Sequence, residues 1–322
     1  MKRFLLASGY FISLSFLFNS RSFAQDQKRD TVSVGIYVTS IHDIDFKQKE
    51  YTITFWLWLK YKNKSFDFER NLEIPQAKTI LKSFPTTDTT GGNISMLMKL
   101  QCVMKDSWKI TSFPFDRQKL RLSFENSQFD TRSLIFVADT PGKHYGRFTI
   151  NGWLIDSFNI SIDKKLYETA FGDDSLEEPR SEYSAFRVNI GIERTGPWSL
   201  FLKIFLGMYV AFLISYVCFY IHADSIDARF GLSVGSLFAV IGNKYIVDSA
   251  LPDTAAIGLV DTLHGLTLLC IFIVIACTTY ALRLAKINKI KQANRFDMIS
   301  AQVLLLVYVI LNIYFISQAN MG

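Results

Sequence analysis

Past Trp198 the chain turns apolar and stays so, in four stretches at about 198–221, 230–251, 257–282 and 298–316 separated by short polar joints. A helix needs about 20 apolar residues to cross the hydrocarbon core of a bilayer, so each stretch is of spanning length. Residues ahead of Trp198 mix polar and apolar positions instead. The bulk figures, 49% hydrophobic and 20% charged with a net charge of +6 over 322 residues, average these two unlike halves. The expected organisation is a domain outside the membrane at 25–195 followed by a four-helix membrane domain at 196–322.

Residues 1–24 read separately. Lys2 and Arg3 precede a short apolar run, and Ser22-Phe23-Ala24 offers small residues around a cleavage position, the pattern of a secretory signal peptide. The domain that follows is then exported. Arg283, Lys286, Lys289, Lys291 and Arg295 fill the joint between the third and fourth spans, whereas Asp248 and Asp253 sit between the second and third. The positive-inside rule places the basic joint in the cytoplasm and the acidic one outside. Both signals give one orientation for a multi-pass membrane protein; the signal peptide together with the scarcity of cysteine makes a bacterial inner membrane, with the N-terminal domain in the periplasm, the expected setting.

The second span reads poorly as a lipid-facing helix. Asp227, Gly231, Gly235, Phe238, Gly242, Tyr245 and Asp248 follow one another at spacings of four and three, which puts them on one helix face. That face is acidic at both ends and mostly glycine between, with two aromatic rings as its bulk. Two arrangements satisfy it: copies of the helix around a narrow wet axis, or close helix packing on the glycines.

The exported part reads as an all-β sandwich. Segments 31–41, 51–61, 97–104, 119–124, 133–138, 153–162 and 184–192 are rich in β-branched and aromatic residues and separated by Asn, Asp, Gly and Pro. A short stretch near 76–81 is the one place with a helical period. In the second strand Tyr51, Ile53, Phe55, Leu57 and Leu59 share the core face, leaving Trp56 and Trp58 on the other. Those two indoles need a cover: a partner chain, a ligand, or a loop of the same chain. With Cys102 the one cysteine in this part, no disulfide forms within it, and a buried thiol is expected. The four histidines are scattered without metal-ligand spacing, and there is neither a phosphate loop nor a nucleophile elbow. The sequence therefore points to no cofactor, no metal, no nucleic-acid partner and no enzyme.

Several motifs occur in a telling order. Val34-Gly35-Ile36-Tyr37 opens the sandwich, Phe113-Pro114-Phe115-Asp116-Arg117-Gln118 precedes a strand, and Gly152-Trp153 follows. Arg194 stands just before the first span, and Ser249-Ala250-Leu251-Pro252 closes the second. In this order, over nearly the whole mature chain, the sequence resembles the pentameric ligand-gated ion channels. Leu120 occupies the place of the second bracketing cysteine of animal members, as in prokaryotic ones.

The resemblance implies a homopentamer in membrane lipid whose second spans line a pore, with Asp227 at the inner mouth and Asp248 near the outer one. Rings of carboxylates favour permeant cations, and rings of Phe238 and Tyr245 are the narrow levels. It further implies a charged coupling cluster of Asp43, Asp116 and Arg194 where the two domains meet. The ligand pocket would draw on Trp56, Phe129, Tyr167 and Phe171, with the hairpin at 164–182 as its cap, and would hold a cation against aromatic faces. Ser127 replaces the usual tryptophan of one pocket loop, and the segment between Tyr61 and Leu97 is short. The expected function is a cation-preferring channel gated by an extracellular small molecule or protons. The alternative is a non-conducting membrane receptor or scaffold on the same fold.

Overall fold

The computed structural model describes residues 29–321 apart from Ser175 and Glu177, so the expected signal peptide lies outside the described residues. The chain runs β1 (Asp30–Asp45), β2 (Glu50–Tyr61), the short α1 (Phe68–Asn71), β3 (Leu72–Glu73), β4 (Ala77–Thr90), β5 (Asn93–Lys105), β6 (Arg117–Asn126), β7 (Leu134–Ala138), β8 (Trp153–Tyr167) and β9 (Ser181–Arg194). The helices follow: α2 (Pro197–Tyr216) with a 3₁₀ turn at Val217–Tyr220, then α3 (Ile226–Ala250), α4 (Leu259–Lys286) and α5 (Ile290–Met321).

The strands form two sheets, ordered β4-β5-β2-β1-β7 and β3-β6-β9-β8. Pairing is antiparallel except between β1 and β7, which run parallel. Period-two alternation fills the space between the sheets. Tyr51, Ile53, Phe55, Leu57 and Leu59 of β2 are fully buried, facing Leu120, Leu122 and Phe124 of β6 and Phe186, Val188 and Ile190 of β9. Each such side chain contributes about 1.5–3 kcal/mol on burial, which makes a core sufficient without a disulfide. Cys102 is a free thiol within it. Burial pushes that thiol up to about 12, so it is inert at physiological pH.

The stretch near 76–81 is not helical. It begins β4, which pairs with β5 along nearly its whole length. Local propensity there is weak, and the ladder to β5, together with the threonines that follow, decides the matter. The region between Tyr61 and Leu97 thus holds α1, β3 and, in β4, a full hairpin strand.

All four C-terminal helices are long and apolar enough to cross a membrane. α2 opens with Pro197 at its first turn, where the missing N–H costs nothing. Polar contacts tie the bundle together inside. Tyr209 donates to Asn312 Oδ1 at 3.0 Å, Thr267 and Tyr308 hydroxyls meet at 2.9 Å, and the Tyr308 ring stacks on Phe212 at 3.9 Å. Arg229 of α3 bonds Asp297 of α5 at 2.6 Å with both side chains buried, and its Nε also donates to the Ile221 and His222 carbonyls. That guanidinium caps the end of the first span while anchoring the last helix. An all-β sandwich followed by four apolar helices of spanning length is the architecture of this multi-pass membrane protein.

Candidate functional site

The glycine stripe of α3 faces away from its own bundle. Asp227, Gly231, Gly235, Phe238, Gly242, Tyr245 and Asp248 are all exposed, Phe238 at 66% and Tyr245 at 76%. A Cβ built on Gly231, Gly235 or Gly242 would meet nothing within 4 Å. The glycines therefore do not serve packing within one chain. The opposite face, Arg229, Ser233, Ser236, Val240 and Val247, is buried. Polar contacts pin that back face: Asn243 donates to the Ile204 carbonyl at 3.2 Å and meets His264 Nε2 of α4 at 2.9 Å.

At the C-terminal end of α3 the charges are shared. Lys244 bonds both Asp248 oxygens at 2.8 and 3.0 Å and reaches Asp261 of α4 at 2.7 Å. Lys244 thus turns toward α4, and Asp248 is not a free carboxylate. No ion pair reaches Asp227 among the described residues, and the neighbouring base, Arg229, is buried against Asp297.

Where sandwich meets bundle, a buried pair stands just ahead of α2. Arg194 Nε donates to Asp116 Oδ1 at 2.6 Å, with the two side chains 11% and 1% exposed. Gln118 donates to the other Asp116 oxygen at 2.5 Å. Three rings box the guanidinium: Trp153 at 4.2 Å, Phe113 at 4.8 Å and Phe46 at 5.0 Å. Asp43 does not join this cluster. It is 78% exposed, has φ +52°, and pairs with His42 at 2.8 Å. The turn after β1 instead reaches the helices through Lys47, which donates to the Ser249 carbonyl at 3.3 Å. The Leu259 N–H, opening α4, donates to the Thr111 carbonyl at 2.8 Å, and Phe115 packs on Trp198 and Phe201.

The four expected pocket aromatics fall in three places. Phe129 is half-buried and packs on Phe66 at 4.9 Å, at the margin of the core. Tyr167 and Phe171 lie together at the hairpin, 5.4 Å between centroids, with Tyr183 closing the group at 5.7 Å from Tyr167. The Tyr167 hydroxyl donates to Glu125 Oε2 at 2.8 Å, and Glu125 lies opposite Glu73 on β3. Burial pushes the Glu125 carboxyl above the usual range, a shift the Tyr167 bond opposes. Arg132 bonds Asp130 at 2.5 Å and Asp173 at 2.8 Å, tying the loop after β6 to the hairpin.

Trp56 stands apart, on the outward face of the other sheet. Its ring is 6.5 Å from Phe84, with the Lys99 ammonium 5.9 Å from its centroid. Trp58 finds its cover within the chain. Its indole lies over Gly35, where any side chain would collide with it, and its Nε1 donates to Asp139 at 2.8 Å. Within one chain Trp56 does not meet Tyr167 or Phe171.

A glutamate-gated chloride channel of Drosophila melanogaster is 21% identical to this chain over 221 residues. The match covers 66% of this chain and 43% of the fly protein, so the chain spans less than half the length of that relative. No family model matches the chain.

Sequence reasoning missed the box around Arg194 and the residues Tyr183, Lys47, Phe84 and Lys99. Trp153 and Phe113 already stood out in motifs. Tyr183 was signalled by its place across a hairpin from Tyr167. Phe84 and Lys99 left no local signal, because they meet Trp56 through strand pairings that sequence alone does not register.

Proposed function

We propose that five copies of this chain surround an axis lined by α3 and form an ion channel opened by a stimulus acting on the exported sandwich. In this reading residues 1–24 are a removed leader, 25–195 bind the stimulus, and 196–322 span the membrane with the basic joint inside. One observation carries it: a helix pinned by its back face whose front face, glycine and two rings between acids, is exposed, with open space in its own chain at each of the three glycines. A surface of that composition suits a shared water column better than lipid.

The proposed preference is for cations. The stripe has acids at both ends and no base, and Lys244, Asp248 and Asp261 together carry one positive and two negative charges. Carboxylate rings in a confined passage attract cations by Coulomb forces. The fly relative is named for glutamate gating and chloride. Ligand-gated conduction carries over in this proposal; the sign of the ion does not. Rings of Phe238 and Tyr245 close the path by excluding water, and a small helix rotation opens it.

Recording from purified protein in bilayers, across pH and a library of small ligands, tests this reading. The expected result is a stimulus-dependent current whose reversal potential follows the cation gradient. Asp227→Asn shifts that potential toward the anion value, and Phe238→Ala raises current without stimulus. A protein that stays silent under every condition, or whose cysteine-substituted stripe resists water-soluble thiol reagents, sinks it.

A further inference from the structure

A cleft of about 580 Å³ opens on the outward face of the second sheet, across β6, β9 and β8. A volume of that order takes a small molecule. Four bases line it: Lys119 and Arg121 of β6, Arg187 of β9 and Lys165 of β8. The register gathers them. Lys119 and Arg121, two apart on one strand, share a face, Asn189 lies directly across from Arg121, and Arg187 lies across from Ser123. Arg121 and Arg187 are thus diagonal neighbours, about 7–8 Å apart at the backbone and within reach of long side chains.

These donors are only partly engaged. No ion pair reaches Lys119 or Lys165 among the described residues, and the Lys165 ammonium stands 5.6 Å from the Tyr167 ring centroid. Arg121 is oriented by the buried Asp106, to which its Nε donates at 3.0 Å, and its Nη2 donates to Ser107 at 3.0 Å. Its Nη1 is uncommitted among the described residues. Arg187 uses Nη1 on Asp163, and both side chains of that pair are part-exposed, so the contact contributes little and can be traded for a ligand.

A second observation is independent of the charges. Ser123, which also lines the cleft, is 6% exposed, and its hydroxyl has no hydrogen-bond partner. A buried hydroxyl left unpaired is costly, and an oxygen that accepts from it removes the cost. Glu125, the acid among the lining residues, already accepts from the Tyr167 hydroxyl at 2.8 Å. Spare cationic donors around an unsatisfied hydroxyl select an anion, and four bases select more than one negative charge.

We propose that this cleft binds a small oxyanion of two or more negative charges, a polycarboxylate or a phosphate, with Lys119, Arg121 and Arg187 on its charges and the Ser123 hydroxyl donating to it. The site is distinct from the expected aromatic pocket, of whose four residues Tyr167 alone borders the cleft, its hydroxyl turned to Glu125. It depends neither on the pore nor on the stimulus that opens it.

Citrate and pyrophosphate are titrated calorimetrically, at near-physiological salt, into the full-length protein in nanodiscs of zwitterionic lipid, with acetate as the monovalent control. At least one of the two is expected to saturate, tenfold or more tighter than acetate, and the tighter of them assigns the natural ligand as carboxylate or phosphate. Arg187→Gln weakens that binding roughly tenfold or more, the loss of a charge-assisted bond. Ser123→Ala weakens it about fivefold, the loss of one neutral donor, while the unfolding midpoint of the unliganded protein holds or rises because the hydroxyl has no partner to lose. Saturation by neither compound, acetate binding as tightly as both, or an affinity indifferent to Arg187→Gln or to Ser123→Ala overturns the proposal. Size exclusion and circular dichroism of each variant separate loss of the site from loss of the fold. The readout is binding alone, so a silent channel would sink the channel reading and leave this one standing.

Discussion

At the scale of single residues, the Asp116–Arg194 pair shows how burial raises the stakes of a contact. A carboxylate 1% exposed is tolerable because Arg194 and Gln118 both donate to it, and the guanidinium in turn is wrapped by three rings. Removing one partner of a buried pair leaves an uncompensated charge, at a cost of about 3–5 kcal/mol. Arg194→Ala is therefore expected to lower the unfolding midpoint of the detergent-solubilised chain markedly, whereas Arg194→Lys keeps the charge and loses part of the ring packing. A chain equally stable with alanine there would remove the pair from the account. Both members of this pair were legible in the sequence, one inside a motif and one before the first span. Asp43, placed in the cluster by resemblance, does not join it: near the end of β1, with φ +52°, its carboxylate pairs with His42.

At the scale of elements, most strands and all four spans were legible, since alternation and apolar length are local signals. Their ends were not. α5 starts at Ile290, well ahead of the apolar stretch, because polar residues continue a helix as readily as they leave the membrane. β4 was illegible for another reason: its stability comes from pairing with β5, a contact that propensity does not contain. The α3 stripe was readable to the residue as one face, yet its outward direction required the structure. That direction has a test. Gly235→Ala adds a methyl that meets nothing within 4 Å in its own chain, and helix propensity alone favours alanine by up to about 1 kcal/mol. The isolated subunit should be as stable or more so, while cross-linked pentamer yield or current falls where the stripes approach one another. Loss of subunit stability instead would mean that the glycine face is packed within the chain.

At the scale of the molecule, the sandwich and the bundle meet through a few directed contacts. Lys47 reaches the end of α3, Thr111 accepts from the first turn of α4, and Arg194 fixes the strand that leads into α2. A displacement of the sandwich thus bears on both ends of the α3–α4 joint. At the far end Arg229 and Asp297 hold α3 to α5, whereas the contacts of the C-terminal half of α3 run to α2, α4 and the sandwich. Gly258 isolates this joint. Its φ of −98° is open to any residue, but a Cβ there would stand 3.3 Å from the Thr111 carbonyl and 3.5 Å from that of Ile110. Gly258→Val therefore pushes the loop and α4 apart by tenths of an ångström without straining the backbone. Circular dichroism and pentamer yield should match the parent protein, and unitary conductance should not change. The half-activating concentration of the stimulus should rise several-fold, because the same binding event then moves α3 less. An unchanged concentration dependence would show that the signal crosses elsewhere, and Lys47→Ala would then be expected to carry the shift instead.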